Sequence, residues 1–307
     1  MDTARDKATR KAVEAESLWD LPVVDKEGYI CRGCEVQVFP ASYDKDRNKK
    51  RPYFSLGPNK EHRDGCDVDG EKKIVQRAKK GRVGSAEGFP LPFPSKLTLS
   101  DERPVVSAGA DASIESTRGG SGRRATGGVV AKAHHGHSVK TIRPACRAFI
   151  NFPYDRDHLP LAIPNVPGDT YSKVFWYLGS KKQEHFRESK HLYYAAIRWK
   201  AEPVISDAIC VLTLNAGEWD EANREYKNLS RVRVDWSEWS QSRRDSLLRE
   251  FEATRHEAAE KSRTDSQVKG WLFFVGTQDS EDPGIFDVDD YRLICSLEAR
   301  MSWPTRK

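Results

Sequence analysis

"YICRGCEVQVFP", residues 29–40, sets two cysteines three positions apart, between a short apolar stretch and a segment that alternates into Pro40. Such a pair reads as metal ligands, as a redox pair, or as two small core side chains. The stretch "RPYFSLGPNKEHRDGC", residues 51–66, bears on the choice, because His62 and Cys66 complete the spacing C-x2-C-x27-H-x3-C. Four soft donors in two close pairs suit a tetrahedral Zn2+, since each pair on a tight turn can aim both side chains at one ion. Gly33 lets the first turn bend sharply. "GYIC" and "EVQVFPA" read as the arms of a β-hairpin, "RPYFSL" as a third strand, and "EHRDGC" as the turn carrying the last ligands. The expected cofactor is structural Zn2+ on Cys31, Cys34, His62 and Cys66, with four protein ligands leaving no open position for a catalytic water. A thioredoxin-like pair would open a helix within a βαβ unit, and no such pattern surrounds Cys31. Two chance pairs of buried residues are the bland alternative. A unit of about 45 residues with few large apolar side chains is too small to fold on its core alone. Metal binding can supply on the order of 10 kcal/mol instead.

The stretch "GYICRGCEVQVFPASYDKDRNKKRPYFSLGPNKEHRDGC" resembles the N-terminal zinc-binding region of CoiA-type competence proteins and their relatives. In that family a C-x2-C hairpin is followed by a "HF"-like strand and a later cysteine. Here Tyr53-Phe54 stands where the family has His-Phe, so the histidine ligand would be His62. The resemblance covers under a sixth of the chain. It implies zinc and DNA-related work in bacteria or mobile elements, and it implies no reaction.

Around this centre the chain divides by composition. Residues 1–18 read as a charged N-terminal helix bearing Ala4, Ala8, Ala12 and Val13, and 19–68 as the zinc ribbon. Residues 69–139 are rich in Gly, Ser, Pro and basic side chains, as in "SAGADASIESTRGGSGRRATGGVVAKAHHGH". Without a sustained period of 2 or 3.6 they read as a flexible basic linker, with one short basic helix in "EKKIVQRAKKGR" stopped by Gly81. From 140 to 307 apolar and aromatic runs return: "ACRAFINFP", "KVFWYL", "HLYYAAIRW", "DAICVLTLNA", "LSRVRVDW", "KGWLFFVGT" and "YRLICSLEA" all read as strands. Residues 240–262 read as a helix, with Leu247, Leu248, Phe251 and Ala258 on one face and Ser240 or Ser242 as its cap. The expected fold is therefore a small zinc ribbon, β-hairpin plus turn, followed by an antiparallel α+β domain with one long helix. That domain is either OB-like or a generic mixed sheet.

The bulk properties exclude little beyond membrane and secretory classes. Hydrophobic residues make up 37% and charged ones 32%, and no run approaches the roughly 20 apolar residues of a membrane span. The first residues lack the apolar core of a secretory signal. A cytoplasmic location is the expectation, with six cysteines too few for a disulfide-built scaffold. The net charge of +5 is compatible with a polyanionic partner.

Several side chains compete for functional roles. "KVFWYLGSKKQEHFRESKHLYYAAIRWK" interleaves Phe175, Trp176, Tyr177, Tyr193, Tyr194 and Trp199 with cations, among them Lys181, Lys182, Arg198 and Lys200. Single-strand binders stack bases on aromatics and follow phosphates with Lys and Arg. In "RVRVDW" the alternation sets Arg231 and Arg233 on one face, which fits phosphate contact and a solvated face equally well. These six cations, with Arg123, Arg124 and Lys132 of the linker, form the expected nucleic-acid surface. Asp287, Asp289, Asp290 and Glu298 in "FDVDDYRLICSLEAR" could hold Mg2+ in a nuclease; a polar turn before a strand explains them as well. "HHGH" at 134–137 fits a solvated loop better than a metal site, and Cys146, Cys210 and Cys295 read as buried and inert. No catalytic constellation is recognisable. The expectation is nucleic-acid binding, DNA foremost, without catalysis; the alternatives are a metal-dependent nuclease and a protein–protein adaptor.

Overall fold

The computed structural model describes residues 1–307 except 45–46, 86–87, 100–135, 180–188 and 305–307. Its N-terminal sheet contains β1 (Thr3–Asp6), β2 (Ala12–Glu14), β3 (Tyr29–Ile30), β4 (Gln37–Ala41) and β5 (Tyr53–Leu56), in the order β2-β1-β3-β4-β5. All its pairings are antiparallel. Residues 1–18 are thus not a helix. Asp6 ends β1 by accepting the amides of Ala8 at 3.1 Å and Thr9 at 2.7 Å. That turn returns the chain as β2, followed by a 3-10 turn at Ala15–Asp20. Local side-chain bonding of this kind competes with helix formation, and pairing of β1 with β3 settles the outcome. Ala4, Leu18, Tyr29, Val38 and Phe54 form a small core around the buried cysteines.

The expected flexible linker is ordered in its described parts. Helix α1 (Glu71–Ala78) is followed by β6 (Phe93–Leu97), which pairs in parallel with β7 (Gly136–Val139). Phe89, Leu91, Phe93 and Leu97 enter the main core, and the Tyr171 hydroxyl donates to the Pro94 carbonyl at 2.6 Å. Of the linker residues singled out above, Arg123, Arg124 and Lys132 lie outside the described residues.

The main domain continues with α2 (Arg143–Asn151), α3 (Tyr171–Val174), β8 (Phe175–Tyr177), β9 (His191–Ala196), β10 (Val204–Ile205) and β11 (Ile209–Thr213). A β12–β13 hairpin (Glu218–Asp220, Glu225–Lys227) precedes β14 (Arg231–Asp235), and α4 (Gln241–Ser262) precedes β15 (Val268–Gln278), β16 (Ile285–Val288) and β17 (Ile294–Arg300). The large sheet runs β10-β11-β14-β16-β15-β9-β8, with β17 paired to β15. Pairings are antiparallel apart from β14–β16 and β8–β9. The architecture is α+β and antiparallel-rich, with one long helix.

"ACRAFINFP" forms α2 rather than a strand. Pro144 occupies its first turn, and Ala145, Cys146, Ala148 and Phe149 are its buried residues. That spacing is helical, and short apolar runs do not distinguish strand from buried helix by period alone. The long helix begins one residue after Ser240, whose hydroxyl makes no capping bond. Helices cover both faces of the sheet. Thr254 of α4 bonds Ser296 of β17 on one face, while Phe149 of α2 stacks on Phe175 at 4.0 Å on the other. Consequently every residue of β9 is buried. Among the described residues, no helix is long and apolar enough to cross a membrane.

Candidate metal centre and candidate nucleic-acid interface

The two halves of the C-x2-C-x27-H-x3-C spacing converge in space. One ligand atom each from Cys31, Cys34, His62 and Cys66 lies within 4.8 Å of all the others. The hairpin of β3 and β4 presents Cys31 and Cys34 at its turn, where the Cys31 carbonyl accepts the Glu35 amide at 3.1 Å. Glu35 adopts a left-handed conformation, φ 60°. Gly33 donates its amide toward the Cys31 sulfur at 3.4 Å. A side chain at Gly33 would meet the Cys66 sulfur at 2.9 Å, so glycine is required for the two halves to close. The loop after β5 brings back His62 and Cys66.

Cys31 Sγ and Cys66 Sγ are 3.8 Å apart, and His62 Nδ1 lies 3.3 Å from Cys34 Sγ and 3.5 Å from Cys66 Sγ. All six cysteines are free thiols. Burial pushes the Cys34 thiol up, but the Val36 amide, His62 and the Arg63 amide outweigh it and bring the group down to about 6. Burial holds Cys66 up at about 11. A cluster of three thiols and one imidazole nitrogen at these separations can hold a metal ion. The remaining thiols are remote: Cys146, Cys210 and Cys295 are completely buried in the main core, and burial drives Cys210 up to about 12.

The expected basic surface separates into unlike parts. Arg233 grips Asp287 through Nε (2.6 Å) and Nη2 (2.8 Å), and Nη2 also donates to Asp279 at 2.7 Å. Arg231 pairs with Asp282 at 2.9 Å. These two guanidinium groups are matched by carboxylates and do not form an open phosphate contact. Lys181 and Lys182 lie outside the described residues. Of the interleaved aromatics, Phe175, Tyr193 and Tyr194 are buried, Trp176 and Tyr177 half-buried, and Trp199 alone is exposed, at 54%. Arg198, Trp199 and Lys200 line an open cleft of about 440 Å3, which Lys269 also lines. Among the described residues no carboxylate pairs with Arg198, Lys200 or Lys269.

The four acidic residues expected of a nuclease are not brought together. Asp287 belongs to Arg233, Asp290 caps a 3-10 turn and holds Arg292, and Asp289 lies 3.9 Å from Lys190. Glu298 is held by Lys261 and lies 3.9 Å from Arg51. His137 sits exposed in β7, and His134 and His135 lie outside the described residues.

The structure also assembles a buried ionic cluster that the sequence did not announce. Arg51 reaches Glu257 (3.0 Å), Glu16 (3.5 Å), the Thr254 hydroxyl and the Ser296 carbonyl (2.6 Å). Arg143 joins Glu14 to Glu250, and Arg147 holds Glu16. Apart from Arg51–Glu16, 35 positions apart, these contacts link residues more than 100 positions apart, so no local spacing could reveal the cluster. Burial would raise Glu16, but Arg147, Arg143 and Arg51 outweigh it and pull the carboxyl down to about 2. Comparison of the chain with family models, with curated proteins and with solved structures finds no match.

Proposed function

We propose that this is a zinc-stabilised nucleic-acid-binding protein, DNA foremost, that performs no catalysis of its own. The observation that carries this reading is the pair Arg198 and Lys200, which pair with no carboxylate among the described residues and line the same cleft as the exposed Trp199. Unpaired cations beside an open aromatic are what a phosphate-and-base ligand uses, whereas Arg231 and Arg233 are already neutralised. The net charge of +5 favours a polyanion over an acidic surface's partners.

Zinc is the ion this reading assigns. A tetrahedral ion with Zn–S of about 2.3 Å and Zn–N of about 2.0 Å has S···S edges near 3.8 Å and S···N edges near 3.5 Å. The separations of 3.8, 3.5 and 3.3 Å fit those edges. Four protein ligands make it a structural centre, in the manner of a zinc ribbon, and the Gly33 amide toward sulfur is the outer support such centres carry. The resemblance of residues 28–66 to CoiA-type proteins points to the same setting, DNA work in the bacterial cytoplasm. Within this reading the main sheet is an OB-like or mixed-sheet platform. An adaptor is the second reading, favoured by exposed Val204, Ile205 and Ile209 near one edge of the sheet.

The test is fluorescence anisotropy of the zinc-loaded protein with labelled single- and double-stranded DNA across a salt series, with Mg2+ present and the DNA recovered on a gel. Binding that falls steeply with salt and leaves DNA intact supports the proposal. Cleaved DNA would establish the nuclease instead, and no binding at low salt would leave the adaptor.

A further inference from the structure

We propose that the cleft at the end of β9 is a single-strand site, in which one unpaired base stacks on Trp199 while Arg198 and Lys200 hold the neighbouring phosphates. This rests on the nucleic-acid reading above and adds the strandedness of the ligand and the residue that selects it.

The indole of Trp199 is exposed, and the backbone that carries it is held in place. Arg255 donates from Nη2 to the Trp199 carbonyl at 2.8 Å, and its guanidinium lies 6.0 Å from the ring centroid. Both terminal nitrogens of Arg255 also bond Glu202, at 2.8 Å each. Arg255 is itself largely buried, so a fixed fork clamps the backbone beneath an aromatic ring that faces solvent. Buried aromatics are ordinary, but a large exposed one with a dedicated clamp is a pre-positioned surface. Pre-positioning lowers the ordering cost of binding.

Beside the ring, the cleft has an apolar lining of Ile197, Ala258, Val268 and Gly270, with Asn215 and Ser262 adding polar groups suited to base edges. Its volume, about 440 Å3, falls within the roughly 300–1,000 Å3 of small-ligand sites. Arg198, Lys200 and Lys269 line the same cleft, and their charge suits the phosphodiester backbone of a base stacked on Trp199. A duplex could contact these cations, but its bases are stacked and paired. Delivering one into the cleft would require flipping it, a cost a single strand avoids. The site therefore favours single strands, and a sequence-tolerant stack on Trp199 makes the contact general rather than base-specific.

The experiment uses the full zinc-loaded chain and three labelled probes: a dT oligonucleotide, a duplex of the same length, and a strand of abasic sites. The wild type is expected to bind the dT strand more tightly than the duplex or the abasic strand. Trp199→Ala should weaken dT binding about 5- to 100-fold and leave duplex binding within about two-fold. Trp199→Phe, which keeps a π-face and serves as the folding control, should retain most of the affinity. Equal losses on dT and duplex, or no loss on dT, would overturn the single-strand assignment while leaving nucleic-acid binding standing. Competition by free dTMP at concentrations near the oligonucleotide's own Kd would overturn it in favour of a mononucleotide site. Failure of the wild type to bind any probe would remove both this inference and the function it rests on.

Discussion

Arg51, just before β5, donates a 2.6 Å hydrogen bond to the carbonyl of Ser296, on the outer edge of β17. The Ser296 amide is taken in turn by Glu250 Oε1 at 2.7 Å. Among the described residues β17 pairs only with β15, so its other edge would present bare backbone groups, a ready template for unwanted pairing. An arginine from the N-terminal sheet and a glutamate from α4 close that edge with charge.

Replacing Arg51 should therefore separate the two parts of the molecule. Removing one partner of a buried ionic cluster strands the others, which costs about 3–5 kcal/mol. Arg51→Met is expected to lower the unfolding midpoint in denaturant and to raise hydrogen exchange around Ser296. A midpoint equal to that of the wild type would show that the cluster does not join the parts.

Acid should loosen the same seam. The Glu16 carboxyl is held at about 2 in the folded chain against 4.5 as its ordinary value. A depressed acid contributes stability above its unfolded pKa, and that contribution disappears as pH falls from about 4.5 toward about 2. Glu257 acts in the opposite sense: burial raises its pKa, so its contribution is present at low pH and lost as pH rises through the folded value. A difference of this size at Glu16 amounts to about 3 kcal/mol. Urea melts at stepped pH should show the slope, and Glu16→Gln should flatten it relative to wild type handled with the same zinc.

Metal removal should act first on residues 29–66. A chelator is expected to release one zinc per chain, measured by a chromogenic indicator, and to expose Tyr29 and Phe54, whose rings now sit 5.0 Å apart. Cys34→Ser should reproduce the effect without chelator, since three ligands bind far more weakly than four. Retention of protection across residues 29–66 without metal would show that the small core suffices.

The cations should divide by their partners. Arg198→Ala or Lys200→Ala is expected to lower the slope of log K against log salt by about one. Arg233→Ala should leave that slope unchanged, because its fork is filled by Asp279 and Asp287. An equal fall for Arg233 would return the β14 face to the interface.

The segment once legible only as a linker should behave as core. Phe93→Ala or Leu97→Ala is expected to cost about 2–5 kcal/mol in unfolding experiments, since both side chains are buried in the main cluster. A change within 0.5 kcal/mol would mean, on the scale of surface substitutions, that residues 89–97 only drape over the surface.

The Cys/His spacing, the hairpin around it and the helix over 240–262 were determined by local sequence, because close Cys/His pairs, turn residues and a 3.6-residue apolar period act within a few positions. The tertiary structure alone decided that residues 3–14 pair as strands rather than coil into a helix, that 143–151 is helical, and that 89–97 belongs to the core. Each of those depends on surface buried against distant residues. The same holds for the charges. Arg231 and Arg198 look alike in sequence, but folding brings Asp282 to the first and leaves the second beside Trp199. Which cation is neutralised and which stays open is a long-range result, because ion pairing depends on distance in space and not on spacing along the chain.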